Sequence, residues 1–449
     1  MTVLRKKPCI LYSAIIAVCF LYTGSAYMSE FYRLMNLYDG VTVDLITGVW
    51  FYLLQALGIG IFALGLAKKP EFFGKRIFFA ILLATGSVFM TLAQVISSPT
   101  LITVFSCVFQ LHIGIYFGYY LTMLSKYIPA EHAGLCYGTA YAIGSIGTYL
   151  FSLIRDGSFF ESKEISLLYL GLAAITILLV MSAENINSDN EKSEAPGTFT
   201  GLGYLIPIVA IIMIISSIGS GLYYSIPQAE NVNWNLIRAA YALGLILAGF
   251  IMDRKHLVGE ICAIASLAYP LIAIALINGG VTNTLALSLS YICRGFVSVY
   301  YIILFTDMGR KNDRHLPFAP LGLMTSRLTE AVFTIFILYI PMPKTFQMIL
   351  STLCFVPLLL IFVMYQIKKL TILTADNNHD KQTIDFSEKY KLTARETEIL
   401  NYMANGLSDE EIAEKCFISK NTVRFHISNI FKKTGLTSRI DVIRSLKIH

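Results

Sequence analysis

Apolar runs of membrane length recur along this chain, separated by short polar breaks. They fall near residues 9–28, 44–67, 77–97, 101–125, 133–154 and 165–182. A polar segment at 183–202, rich in Asn, Ser, Glu and Asp, interrupts the series. Six more runs follow near 203–226, 236–252, 257–278, 282–306, 318–340 and 345–367. A helix needs about 20 apolar residues to cross hydrocarbon. The pattern therefore predicts an all-α, polytopic membrane bundle with six spans in 1–182, a cytoplasmic linker at 183–202, and six spans in 203–367. The run at 236–252 is the shortest. The first run follows Arg5, Lys6 and Lys7 as a signal peptide would, but no small-x-small cleavage site follows it, so it reads as a retained span.

After residue 367 the pattern changes. Residues 368–387 are polar (TADNNHDKQTID within them) and read as a flexible linker. At ~5–6 Å × √n its reach is on the order of 25 Å. Residues 388–449 then show short helical periods with caps. Thr393 with Glu396, and Ser408 with Glu411, have capping-box spacing. Asn405-Gly406 is a left-handed stop signal. Ser419 caps a third helix, Lys420 to Thr434, with Val423, Ile427, Ile430 and Phe431 as its inner stripe, and Gly435 ends it. Ser438 starts a fourth helix carrying Ile440, Val442, Ile443 and Leu446. The result is a helix-turn-helix with an added C-terminal helix.

Composition agrees with the membrane reading: 55% of the 449 residues are hydrophobic and 14% are charged, against about 25% charged in soluble chains. An inside N-terminus puts fifteen Lys and Arg in inside loops, from Arg5 to Lys369, and four outside: Arg33, Arg155, Lys163 and Lys344. The acidic 183–202 segment alone breaks this bias. Basic loops stay inside, and an even span count returns the C-terminus to the same side. Both termini are thus expected in the cytoplasm of a multi-pass cell-membrane protein. The eight cysteines are scattered singly, with no Cys-x-x-Cys pair, so neither a zinc site nor a disulfide framework is indicated. No nucleotide loop, nucleophile triad or metal spacing is visible. The expectation is a non-enzyme without metal or cofactor.

Charge sorts by helix in the tail. The second helix carries Asp409, Glu410, Glu411 and Glu414. The third carries Lys420, Arg424, His426, Lys432 and Lys433 and no acid. An acidic scaffold helix before a basic one is the footprint of a major-groove reader. The segment closely resembles the LuxR-type helix-turn-helix through Leu392, Thr393, Arg395, Glu396, Glu398, Leu400, Gly406, Leu407, Ser408, Glu411, Ile412, Ala413, Ser419, Thr422, Val423, His426, Ile430, Lys433, Gly435 and Arg439. Arg424 stands where that family usually has Lys, and Cys416 where it has Leu. A solvated basic face is the plain alternative, and the gapless motif argues against it. The resemblance implies a double-stranded DNA partner and a homodimer paired through the fourth helix. It implies a DNA-contact set of Lys420, Thr422, Val423, Arg424, Phe425, His426, Ser428 and Lys432. Within that set, Arg424, Phe425 and Ser428 face base edges, and Lys420, Thr422 and Lys432 meet phosphate.

The 6+6 layout resembles the major facilitator superfamily. The loop GFIMDRK, Gly249 to Lys255, is similar to that family's Gly-x-x-x-Asp-Arg-Lys motif, which latches the two halves. The equivalent loop from Gly65 to Arg76 departs from it, with Lys68 where the family has its acid. The two parts together resemble membrane LuxR-type regulators, in which a lipid-embedded sensor carries a DNA-binding tail. A transporter that also signals is the alternative.

Ionisable side chains deep in a span cost ~2.5–3.5 kcal/mol by insertion scales and are site candidates. His112, Arg294, Arg327 and Glu330 are the candidates here. Arg327 and Glu330, at i and i+3, either pair with each other or meet a ligand. Arg294, among Tyr291, Tyr300 and Tyr301, either bridges helices through backbone carbonyls or faces a small anionic or aromatic ligand.

Overall fold

The computed structural model describes residues 6–186, 202–224, 234–269, 271, 276, 281–310, 313–340, 343–404 and 406–448. Most of the segment expected to link the halves, 183–202, lies outside the described residues. The chain divides into two compact units, Met1–Ile361 and Phe362–His449.

Each of the twelve apolar runs carries a helix. They are α1 (Lys6–Met35), α2 (Gly40–Lys68, with a π turn at Ile46–Trp50), α3 (Arg76–Val95), α4 (Pro99–Tyr127), α5 (Ala130–Ser152) and α6 (Ile165–Met181). After the break come α7 (Leu202–Tyr224), α8 (Trp234–Arg254), α9 (His256–Ser266), α10 (Asn283–Gly309), α11 (Leu321–Tyr339) and α12 (Lys344–Lys389). No strand occurs among the described residues.

Six helical stretches, within α1, α2, α3, α4, α10 and α12, are long and apolar enough by themselves to cross a membrane. Three more, in α6, α7 and α9, are apolar but shorter in their described part. That leaves α5, α8 and α11.

Two devices hold the bundle together. The first is hydroxyl pairing across helices. Tyr22 Oη lies 3.0 Å from Ser87 Oγ, Tyr116 donates to the Leu82 carbonyl at 3.0 Å, and Tyr169 donates to the Ser25 carbonyl at 3.0 Å. A buried hydroxyl without a partner costs a few kcal/mol, so these bonds fix helix rotation as well as contact. The second is close backbone approach at glycine. A Cβ on Gly249 of α8 would sit 2.3 Å from the Gly134 carbonyl oxygen of α5. One on Gly244 would sit 2.3 Å from the Ile292 carbonyl oxygen of α10.

The α5–α8 crossing joins the two halves, and Asp253 caps it. Its carboxylate accepts from Gly134 N–H at 2.7 Å and from Leu135 N–H at 2.8 Å. Gly134 and Leu135 are the fifth and sixth residues of α5, so the acid lies beside its N-terminal end, where the helix dipole favours negative charge. The related loop in the first half, with Lys68 in place of the acid, has no such partner. The N-terminus of α11 begins at Pro320 without a side-chain cap. Instead, Arg76 binds the Met181 and Ala183 carbonyls at the end of α6, within its own half. Among the described residues, the acid latch is formed by Asp253 in the second-half loop and not by the first-half loop, as the departure at Lys68 implied.

The polar stretch 368–387, expected as a flexible linker, is helical: α12 continues to Lys389. No Gly or Pro occurs between Pro357 and Gly406, so nothing in the chain breaks the helix.

The α5–α8 packing predicts a measurable cost. Gly249→Val inserts a branched side chain where carbonyl oxygen already sits, and overpacking of this kind costs ~1–3 kcal/mol. Thermal unfolding of the purified full-length protein in detergent is expected to shift to lower temperature. Gly203→Ala, where a Cβ meets nothing within 4 Å, serves as the silent control.

Candidate functional sites

The tail unit is built from α13 (Ala394–Ala404), α14 (Asp409–Cys416), α15 (Lys420–Thr434) and α16 (Arg439–Ile448). Its core gathers Ile399, Leu400, Met403, Ile412, Val423, Ile430, Val442 and Leu446 around Phe386. Phe386 comes from the last turn of α12 and lies two residues ahead of the expected domain start at 388. The expected caps are present. Thr393 N–H donates to Glu396 Oε2 at 2.7 Å, and Ser408 N–H to Glu411 Oε2 at 2.6 Å. The Ser419 hydroxyl accepts from Thr422 N–H at 3.1 Å. Gly435 stops α15 at φ 72°. These caps set where α15 begins and ends, and so which side chains it turns outward.

Arg424, Phe425, Ser428 and Lys432 are exposed on α15, while Lys420, Thr422 and His426 are half-buried at its edges. Val423 does not belong with them. It is 0% exposed, one turn before Ile427 on the stripe that packs inward, and presents no surface to DNA. The cations of the reading face are not free. Arg424 Nε is 3.3 Å from Asp409 Oδ2, and the other carboxylate oxygen of Asp409 is 3.2 Å from Arg439. Lys420 pairs with Glu410. The acids of α14 thus hold the cations of α15 in the absence of DNA.

Two arginines that match the family pattern do structural work instead. Arg395 pairs with Glu398 and donates to the Cys416 carbonyl at the end of α14, and Arg439 donates to the Leu407 carbonyl. Both serve carbonyls that end a helix or turn, a role that spacing alone did not disclose.

In the membrane unit, a cavity of about 370 Å³ lies between the two halves. Arg294 of α10 and Arg327 and Glu330 of α11 all line it, together with Tyr27, Tyr52, Tyr141, Tyr241, Tyr291 and Tyr301. Arg327 donates to Glu330 at 3.0 Å and lies 4.6 Å over the Tyr52 ring. Tyr241 donates to Ser298 Oγ at 3.0 Å and meets the edge of Tyr141 at 5.6 Å between centroids. Arg294 makes no hydrogen bond or ion pair among the described residues. The lining thus carries two guanidinium charges against one carboxylate, framed by aromatic faces.

His112 is not part of this lining. Its Nδ1 donates to the Val108 carbonyl one turn back at 2.8 Å, and its ring packs 5.4 Å from Phe89. It faces α3, away from the cavity. The sequence reading also passed over Gln55, which lines the cavity, and Glu30, which lies behind it. The first apolar run ended at residue 28, but α1 continues to Met35. Glu30 is therefore inside the bundle and not in a loop.

Glu396 predicts how the tail responds to acid. It is 3% exposed and paired to Lys433. Burial raises its carboxyl, but Lys433 and the Thr393 hydrogen bonds outweigh this and hold it below the usual glutamate range. A depressed folded value means stability is present above the unfolded value of about 4.3 and is lost as pH falls through the folded one. In fragment 385–449, Glu396→Gln is expected to cost ~1–3 kcal/mol at neutral pH. It should also flatten the acid limb of a denaturant midpoint plotted against pH.

Comparisons with known proteins agree with both halves of this description. Residues 390–446 match the model of bacterial regulatory proteins, luxR family. The tail is 45% identical over 58 residues to the Fimbriae Z protein of Salmonella typhimurium, covering 13% of this chain and 28% of that one. It is 46% identical over 57 residues to the CsgBAC operon transcriptional regulatory protein of Escherichia coli, covering 13% of this chain and 26% of that one. The chain thus spans little more than a quarter of these relatives' lengths. The overall structure resembles that of the E. coli Fucose:proton symporter, with a TM-score of 0.60 at 12% identity, covering 80% of this chain and 98% of that one. At this identity the likeness concerns fold alone. The chain is a multi-pass membrane protein of facilitator-like fold whose residues 390–446 form a DNA-binding helix-turn-helix of the luxR family.

Proposed function

We propose that this protein is a one-component, membrane-embedded transcription regulator. The membrane unit, 1–367 with its two six-span halves, binds a small anionic or aromatic ligand in the central cavity. The tail, 388–449, binds operator DNA as a homodimer paired through α16, where Ile440 is 62% exposed. Movement of the two halves about the Asp253 latch changes how two tails meet. A coupling of ~1–3 kcal/mol is enough for a switch. The observation that carries this reading is Arg294, a cation that makes no hydrogen bond or salt bridge among the described residues, facing a cavity in the same chain as a DNA reader. A guanidinium in that setting is stabilised by an incoming anion. The tyrosine faces suit an aromatic ring.

Arg294→Met should insert and fold, because it places an apolar side chain in an apolar span. It is expected to abolish the dose-response of a reporter gene to inducer while leaving protein level and operator binding unchanged. An unaltered dose-response would remove the cavity from the sensing role.

On DNA, Arg424 reads bases and Lys432 holds phosphate. Arg424→Ala is expected to lose ~1–3 kcal/mol and relax sequence preference. Lys432→Ala should weaken all sequences about equally and lower the salt slope by about one. Titration of specific and scrambled duplexes at several salt concentrations separates the two; identical selectivity profiles would reverse the assignment. Both termini lie in the cytoplasm in this reading. A reporter fused after His449 is expected to be active only if it is a type that works there.

A second reading is favoured by the Asp253 latch: the membrane unit also moves its ligand. Uptake of the inducing compound into vesicles holding the full-length protein distinguishes a signalling transporter from a sensor.

A further inference from the structure

Behind the cavity wall, the first half of the membrane unit holds a buried polar chain. Glu30 of α1 is 1% exposed. Gln110 Nε2 of α4 donates to Glu30 Oε2, and Gln55 Nε2 of α2 donates to Gln110 Oε1 at 2.6 Å. Gln55 then lines the cavity. Ser106, fully buried, lies one turn before Gln110 on α4. Ser106 stands beside the Glu30 carboxyl, and Gln55 Oε1 has no hydrogen-bond partner among the described residues.

Among the described residues, no cation pairs with Glu30. Arg33, one turn along α1, donates to the Gln94 and Ile96 carbonyls at the end of α3. The titratable groups that face Glu30 are Tyr22 of α1, Cys107 of α4 and Tyr169 of α6, all neutral at ordinary pH. A buried carboxylate without a counter-charge costs several kcal/mol, and a bound proton removes that cost. The N–H that Gln110 aims at the carboxyl disfavours a metal cation in the same place.

We propose that Glu30 is a proton-binding site of the membrane unit, linked to the cavity through Gln110 and Gln55. The proton comes from water and returns to water; the amides carry no charge and act by turning. Ionised Glu30 accepts more strongly from Gln110, which reorients Gln110 Oε1 and, through it, the Gln55 amide on the cavity wall. The link to signalling rests on the cavity being the ligand site, whereas proton binding at Glu30 does not.

The test is infrared difference spectroscopy on purified full-length protein in lipid nanodiscs, titrated with pH and with no ligand or DNA present. The expected result is a protonated-carboxyl band at neutral pH that bleaches on alkalinisation. Glu30→Gln, which keeps the shape and the Gln110 hydrogen bond, should remove that band. Gln55→Leu should shift the pH at which it bleaches. A band unchanged in Glu30→Gln, or no bleaching at any pH, overturns proton binding at Glu30. An unshifted midpoint in Gln55→Leu overturns the link to the cavity. Bleaching by sodium chloride at constant pH, absent with a bulky organic cation, would assign the site to a metal cation and overturn the proposal.

Discussion

Inside hydrocarbon, a polar group has only the protein to bond to, and that constraint organises the membrane unit. Tyrosine hydroxyls reach across helices to serines and carbonyls. Arg33 ends α3 by taking its last carbonyls, and Asp253 takes two amides in the second turn of α5. Arg327 finds Glu330 on its own helix. Where such closure is incomplete, at Arg294 facing the cavity and at Glu30 behind it, the chain carries groups that gain from something arriving. The same rule thus separates side chains that hold the bundle from side chains available to a ligand or a proton.

The tail obeys different physics. It is small, exposed to water, and has a single layer of apolar side chains as its core. Its geometry is set by caps. Ser408 and Ser419 fix where α14 and α15 start, and Phe417 between them takes a left-handed conformation at φ 53°. A register shift of one residue in α15 toward its N-terminus would carry Arg424 into the buried position that Val423 now holds.

Much of this was legible because period and length are strong signals. All twelve helices of the membrane unit follow from apolar runs, and all four tail helices follow from caps and stripes. Arg294, Arg327 and Glu330 were legible because a charge in an apolar run is rare. His112 was not distinguishable from them, since a histidine that bonds its own helix one turn back reads the same as one facing a cavity. Val423 matched a family position but lies on the inward stripe, a conflict that burial resolves. Glu30 was hidden because an apolar window ends before the helix does, and Gln55 because a neutral amide scarcely lowers hydropathy. The helical character of 368–389 was missed because polarity suggests coil, whereas the lack of Gly and Pro governs the backbone.

The ion pairs of the free tail bear on how it searches a chromosome. Lys420 and Arg424 are already matched by Glu410 and Asp409. When such a cation meets a phosphate, it exchanges one anionic partner for another, and the displaced acid must be left near the duplex or turned to solvent. Fewer condensed ions are released than a count of cations suggests, so attraction to arbitrary DNA is expected to be weaker, and its salt dependence shallower, than that count implies. For the membrane-embedded regulator proposed above, this would be an advantage. Passing chromosome is not held at the membrane surface by charge alone, and residence there depends on base edges that repay the broken pairs.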